Sequence, residues 1–307
     1  ASPRTDRSMT SRLDPSRPLD EASREVLADQ LVRLRADLDR PDPDEAVHRF
    51  RRRSKRVRAL LRLVRGALAD AKPLDRAARD AARELAELRD SRVLADTARR
   101  LAREAGDPLV AEAADRVADV LATRHRERVA AGAFTEARTR VHGHLQRLEA
   151  ALPAWSFAAC TPRQEKRVLR RALERARRRG RPGLKSLAGS GRPEALHALR
   201  KRVKDLRYQV RLLRGTWPGP LGALEDACDT LGEALGDDHD LHVLAEALAA
   251  ADAPELEPQR RAALLEAVEA ARSRLQASAV GDARRLFVER DRDFGRRLGR
   301  YWRLARG

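Results

Sequence analysis

One basic string is written twice in this sequence, its residues in the same order about 149 positions apart. The first copy holds Glu45, Val47, His48, Arg51, Arg52, Arg53, Lys55, Val57, Arg58, Arg62 and Leu63. The second holds Glu194, Leu196, His197, Arg200, Lys201, Arg202, Lys204, Leu206, Arg207, Arg211 and Leu212. Both copies fit H-x2-R-[RK]-R-x-K-x-[VL]-R-x3-R. Further along, Arg89-Asp90-Ser91-Arg92-Val93-Leu94 lines up with His239-Asp240-Leu241-His242-Val243-Leu244 at an offset of 150. Two elements in one order at nearly one offset imply that a unit of about 150 residues is duplicated. The two halves are therefore expected to pack against each other as pseudo-twofold mates.

Both halves read as helical. Alanine, leucine and arginine dominate, aromatics are 3% of the 307 residues, and Gly and Pro cluster in a few short stretches. Such usage favours helices, and the alternation of a strand is missing, so the fold class is all-α. Residues 1–18 read as a disordered N-terminal tail, 19–150 as the first helical half, 151–161 as a connection and 162–307 as the second half. Helices are expected at about 19–39, 44–70 with Asp44 as N-cap, 74–105, 108–131 and 134–150. The second half offers about 163–179, a Gly/Pro-rich segment 180–193, then 194–215, 221–250, 257–278 and 282–304.

On a helical wheel at ~100° per residue, Arg51, Arg52, Lys55, Arg58 and Arg62 fall within roughly 80° of His48. Phe50, Val57, Leu61 and Val64 gather opposite. In the second copy, His197, Arg200, Lys201, Lys204, Arg207 and Arg211 oppose Leu199, Leu206, Val210 and Leu213. Each motif helix thus has a core face and a basic face. Like charges at i,i+4 are unfavourable by a few tenths of a kcal/mol per pair, so two such faces call for a polyanionic ligand.

The net charge of +18 agrees with an anionic partner. Of six lysines against fifty-nine arginines, three fall inside the motif copies, at Lys55, Lys201 and Lys204. Cys160 and Cys228 form no disulfide framework and no metal spacing, which suits a reducing compartment. No apolar run reaches the length of a membrane span or signal core, so a soluble intracellular protein is expected.

These motifs resemble those of the CHAD family, the conserved-histidine α-helical domain. The resemblance is carried by His48-Arg49-Phe50-Arg51 with Lys55-Arg56-Val57-Arg58, by the run Leu196 to Tyr208, and by Arg89, Asp90, Val93 and Leu94 with Asp240, Val243 and Leu244. It implies two pseudo-twofold-related four-helix-type bundles around a basic central cleft or pore that binds inorganic polyphosphate without catalysis or cofactor. The contact residues expected from the two basic faces are His48, Arg51, Arg52, Lys55, Arg58, Arg62, His197, Arg200, Lys201, Lys204, Arg207 and Arg211. Further candidates are Arg89 and His239 and, extending the cleft along the helix before the second motif, Lys166, Arg170 and Arg171 with Arg163, Arg167 and Arg175. The resemblance also implies a cytoplasmic protein that can associate with polyphosphate granules. Some family members accompany a triphosphate-tunnel catalytic domain; no alternating Glu-x-Glu-x-Lys strand occurs in this sequence, so it resembles a stand-alone binding domain.

Two other classes stay open. A nucleic-acid-binding protein would use the same charge, although the basic faces lack interleaved aromatics for base stacking, with only Tyr208 nearby. A phosphotransfer enzyme would use His48 or His197 as acceptor, but only Glu45 and Glu194 border the stripes, where such chemistry needs metal-binding acids. A metal site at Asp238-His239-Asp240-Leu241-His242 is disfavoured because Arg89 and Arg92 stand at the matching positions of the first half. His125, His142 and His144 have no counterparts and read as surface or packing residues.

Overall fold

Proline opens most of the helices of this chain, because its missing N–H falls among donors that the first turn leaves unpaired anyway. The computed structural model describes residues 12–157, 160–189 and 192–307. Among these, all regular structure is helical. The first half forms α1 (Leu19–Leu38), α2 (Pro43–Val64), α3 (Ala71–Glu84), α4 (Ala86–Glu104), α5 (Pro108–Ala130) and α6 (Ala133–Ala150). The second forms α7 (Pro162–Arg178), α8 (Arg181–Leu187), α9 (Pro193–Leu213), α10 (Pro218–Ala249), α11 (Pro258–Leu286) and α12 (Asp291–Ala305). The motif copies occupy α2 and α9, which pack against each other.

Four local expectations are corrected. Asp42, not Asp44, caps α2, accepting from the Asp44 amide at 2.9 Å. The helix expected at 74–105 breaks at Leu85 into α3 and α4, whereas the matching α10 is continuous. The break expected near 279–281 is absent, because α11 runs through Gly281 while burying Ala279, Ala283 and Leu286. A glycine within a helix costs only about 1 kcal/mol, less than that burial returns. The Gly/Pro-rich segment contains α8, whose Gly183 lies so close to α9 that a Cβ would meet Leu199 Cβ at 2.5 Å and the Ala195 carbonyl at 2.6 Å.

Most of the expected tail lies outside the described residues. Leu13, near its end, is buried, and its amide donates to the Leu212 carbonyl at 2.8 Å. The apolar faces read from the wheel are the ones buried: Phe50, Val57, Leu61 and Val64 on α2, and Leu199, Leu206, Val210 and Leu213 on α9. Apolar side chains group into a large core around these helices and a smaller one among α4, α5, α10 and α11, each drawing on both halves of the sequence.

Two buried charges tie the ends together. Glu165 accepts from the Leu19 amide at 2.9 Å, from Trp302 Nε1 at 3.0 Å, and from Arg306. Arg177, which is 1% exposed, donates to the Leu286 and Glu289 carbonyls at 2.6 and 2.7 Å. Its guanidinium also stacks on the Phe287 and Phe294 rings. It therefore fixes the turn between α11 and α12.

Phe50→Ala is expected to lower the unfolding free energy by about 3–5 kcal/mol, and Gly183→Ala by about 1–3 kcal/mol through overpacking. Urea denaturation followed by circular dichroism checks both.

A basic cavity between the two motif helices

With their apolar faces pinned in the core, α2 and α9 turn their basic faces toward a cavity of about 650 Å³ that α4 and α10 complete. From the first motif come His48, Arg51, Arg52 and Lys55, from the second Arg200, Lys204 and Arg207, and from α4 Arg89 and Arg92. Helix α10 makes room for the second motif with two glycines. A Cβ at Gly236 would crowd the Arg200 guanidinium at 3.3 Å, and Gly232 lies beneath Lys204. At the matching positions of the first half stand Ala82 and Ala86. There Arg51 reaches the helix end instead, donating to the Ala82 carbonyl at 2.5 Å.

Carboxylates also reach this space, which the sequence reading missed. It found only Glu45 and Glu194 beside the stripes, yet α10 contributes Asp229, Glu233, Asp237 and Asp240 to the lining. Their spacing of three to four residues was a readable signal for one helix face. Three of the four are held by arginines: Asp229 by Arg207, Asp237 by Arg100 at 2.7 Å, and Asp240 by Arg89 at 3.3 Å. Arg89 also donates to Asp90 at 2.9 Å, so both aspartates of the repeated helix orient it.

The cations left over pay for their positions in proton affinity. Burial, with Lys204, Arg51, Arg200 and Arg89 close by, pushes the Lys55 amine down to about 7. The Lys204 amine is pushed down to about 8, by burial first and then by Arg200, against a partial offset from Asp240. Arg51 and Arg200 are lowered as well, chiefly by burial. The Arg200 Nε is buried with no hydrogen-bond partner. Lys55 still meets solvent through the cavity mouth, so water moderates its repulsions.

The family model of the CHAD domain matches residues 19–249, from α1 to the end of α10. The chain belongs to the CHAD family. No curated protein matches it. Among solved structures it is similar to the crystal structure of the CHAD domain from the plant Ricinus communis. The two are 20% identical with a TM-score of 0.54, over 92% of this chain and 96% of that one, a likeness of fold.

Not every candidate contact faces the cavity of this CHAD domain. Arg58 and Arg62 converge on Asp75, at 2.9 and 3.0 Å, and Arg62 also bridges to Asp205 on α9. Arg211 lies 3.6 Å from Glu225, and Lys201 is exposed outside the lining. Lys166 and Arg170 pack on α12 over Gly299 and Gly295, and Arg171 is exposed on the same helix. Arg92 belongs to the cavity although it entered the sequence reading only as an argument against a metal.

The histidines divide similarly. His48 stands at the cavity, its imidazole held below its ordinary range by burial and by Arg52, Lys55 and Arg49. His197 and His239 stack with ring centroids 4.0 Å apart and are pushed down to about 4 and about 3, mainly by burial. The string 238–242 disperses to separate partners: Asp238 accepts from Gln276 at 2.7 Å, and His242 lies 3.6 Å from Glu246. His125 is buried rather than superficial, linking Asp44 and Ser91 at 2.8 Å each.

A lysine with a depressed folded pKa binds fewer protons than the unfolded chain between that pKa and its ordinary 10.5. Stability contributed by Lys55 and Lys204 therefore rises with pH from about 7 to about 10. Lys55→Met with Lys204→Met is expected to raise the urea midpoint at pH 7 and to flatten its rise toward pH 9.5.

Proposed function

We propose that this CHAD protein binds inorganic polyphosphate, without turning it over, in the cavity between α2 and α9. One observation carries the reading: Arg51, Lys55, Arg200 and Lys204, taken from equivalent positions of the two motifs, converge on one cavity where burial and mutual repulsion depress their proton affinity. A flexible chain with a charge on every unit relieves both walls at once. Arginine engages phosphate through paired N–H groups, and lysine acts as a point charge.

Base recognition is less well supported. Tyr208, the aromatic nearest the basic face, is 6% exposed and lies under the Arg207 guanidinium, so its ring offers no stacking platform. Phosphoryl transfer finds three of the four nearby carboxylates of α10 engaged with arginines. Among the described residues no group of three or more His, Cys, Asp or Glu could hold a metal ion. No described helix is long and apolar enough to cross a membrane.

Titration with long-chain polyphosphate is expected to show affinity that rises with chain length and falls steeply with salt, with double-stranded DNA competing poorly at physiological salt. Changing Arg51, Lys55, Arg200 and Lys204 together to Ala should weaken binding roughly 100-fold and reduce the salt slope by ~3, at about 0.7 per lost phosphate contact. Equal affinity for triphosphate and long chains contradicts the reading. Phosphohistidine or chain shortening with Mg²⁺ contradicts its non-catalytic part.

Binding should also take up protons near pH 7–8, because the polyanion restores charge on Lys55 and Lys204. Affinity should accordingly fall as pH rises from about 7 to about 9.5. Lys55→Arg with Lys204→Arg should flatten that fall, as read by calorimetry in buffers of different ionisation enthalpy.

A further inference from the structure

Helix α7 was expected to extend the basic cleft. Instead, Arg175 and Arg179 near its C-terminal end meet Arg65 at the end of α2 and Arg202 on α9. These four and Arg62 line a small hollow of about 30 Å³, closed beneath by Gln209. Its lining residues are all different from those of the α2–α9 cavity. Ten residues of α2 separate Lys55 from Arg65, about 15 Å along the helix.

Charge in this corner is unbalanced. Among the described residues the only carboxylate lining it is Asp205, already taken by Arg62 and Arg202. Arginines in the last turn of a helix are expected, since each C-terminus carries about half an elementary negative charge. Two such ends offset only a fraction of five guanidinium groups, and they do not explain why the groups converge on one hollow. The Arg175 Nη2 is buried with no hydrogen-bond partner, and so is Oε1 of Gln209, a residue only 2% exposed. Burial and then Arg65, Arg179, Arg171 and Arg178 lower the Arg175 guanidinium below its ordinary value.

We propose that the corner where α2, α7 and α9 meet is a second oxyanion site, separate from the main cavity, that holds a single phosphoryl group. The hollow is too small for a run of phosphate units, and guanidinium groups of Arg65, Arg175 and Arg179 around one point match the oxygens of a single tetrahedral group. Its oxygens accept from Arg65, Arg175 and Arg179, and a protonated phosphate oxygen donates to Gln209 Oε1. Free phosphate and the end group of a phosphate chain present this same chemistry. The site stands on its own geometry and does not depend on what the cavity binds.

Thermal unfolding and calorimetry with inorganic phosphate, against sodium chloride of matched ionic strength, test the site. Wild type should show a saturable rise in Tm of several degrees with phosphate beyond the chloride control. Arg65 and Arg179 are exposed, so Arg65→Glu with Arg179→Glu should fold. That variant should melt higher than wild type without phosphate, because the new carboxylates pair with Arg175, and it should lose the phosphate response. Lys55→Ala with Lys204→Ala should keep the response whether or not it still binds long polyphosphate, which separates this site from the cavity. In that background, displacement of phosphate by tripolyphosphate identifies chain ends as occupants, and its failure identifies free phosphate. A wild-type response no greater than in chloride, or one that survives in the Arg65→Glu, Arg179→Glu variant, overturns the proposal.

Discussion

Burial of one face of α2 and one face of α9 forces two cationic faces together, and the rest of the molecule is arranged around that conflict. Fully burying a side chain such as Phe50, Val57, Leu199 or Val210 is worth roughly 1.5–3 kcal/mol. A like-charge neighbour on a helix costs a few tenths. Burial therefore wins, and the repulsion is handled where carboxylates can be placed. Asp37 takes Arg53, Asp75 takes Arg58 and Arg62, Asp229 takes Arg207, and Glu225 takes Arg211 and Arg214. Arg51, Lys55, Arg200 and Lys204 face the cavity with only the partial, longer-range offset of Asp90, Asp237 and Asp240.

Lysine at two of those four positions has a consequence that arginine would not. An amine lowered to about 7 or 8 sheds its proton within the physiological range, whereas a guanidinium lowered from its ordinary value stays charged. Repulsion within the cavity therefore eases as pH rises through these values. In a sequence with fifty-nine arginines, these lysines mark positions where adjustable charge matters.

The halves repeat their motif but not their surroundings. Continuous α10, with Gly232 and Gly236, lets Arg200 and Lys204 lie against it, while the break at Leu85 offers Arg51 a carbonyl at Ala82. Asp205, which relieves Arg62 and Arg202, aligns with Arg56 in the first half, where burial and then Arg211 lower the guanidinium to about 10. One repeated motif thus lines two walls of different character.

All-helical class, the placement of both motif helices and the identity of their buried faces were legible in the sequence. They rest on the 3.6-residue period and on local chemistry, which a single strip of sequence contains in full. Capping at Asp42, the break at Leu85 and the continuity of α11 were not, because Asp44 is held by Arg92 and His125 of other helices, Leu85 is buried in the core, and burial of Ala279, Ala283 and Leu286 carries α11 through Gly281. The basic stripe was likewise visible, but which of its members remain unpaired was not. Asp75, Asp229 and Glu225 come from other helices and Asp205 reaches Arg62 across from α9, and only tertiary packing sets charges that are distant in sequence within 4 Å of one another. By itself the sequence determined two cationic helix faces; the tertiary structure decided that eight of the candidate residues share one cavity, and that α7 builds a separate corner instead of lengthening it.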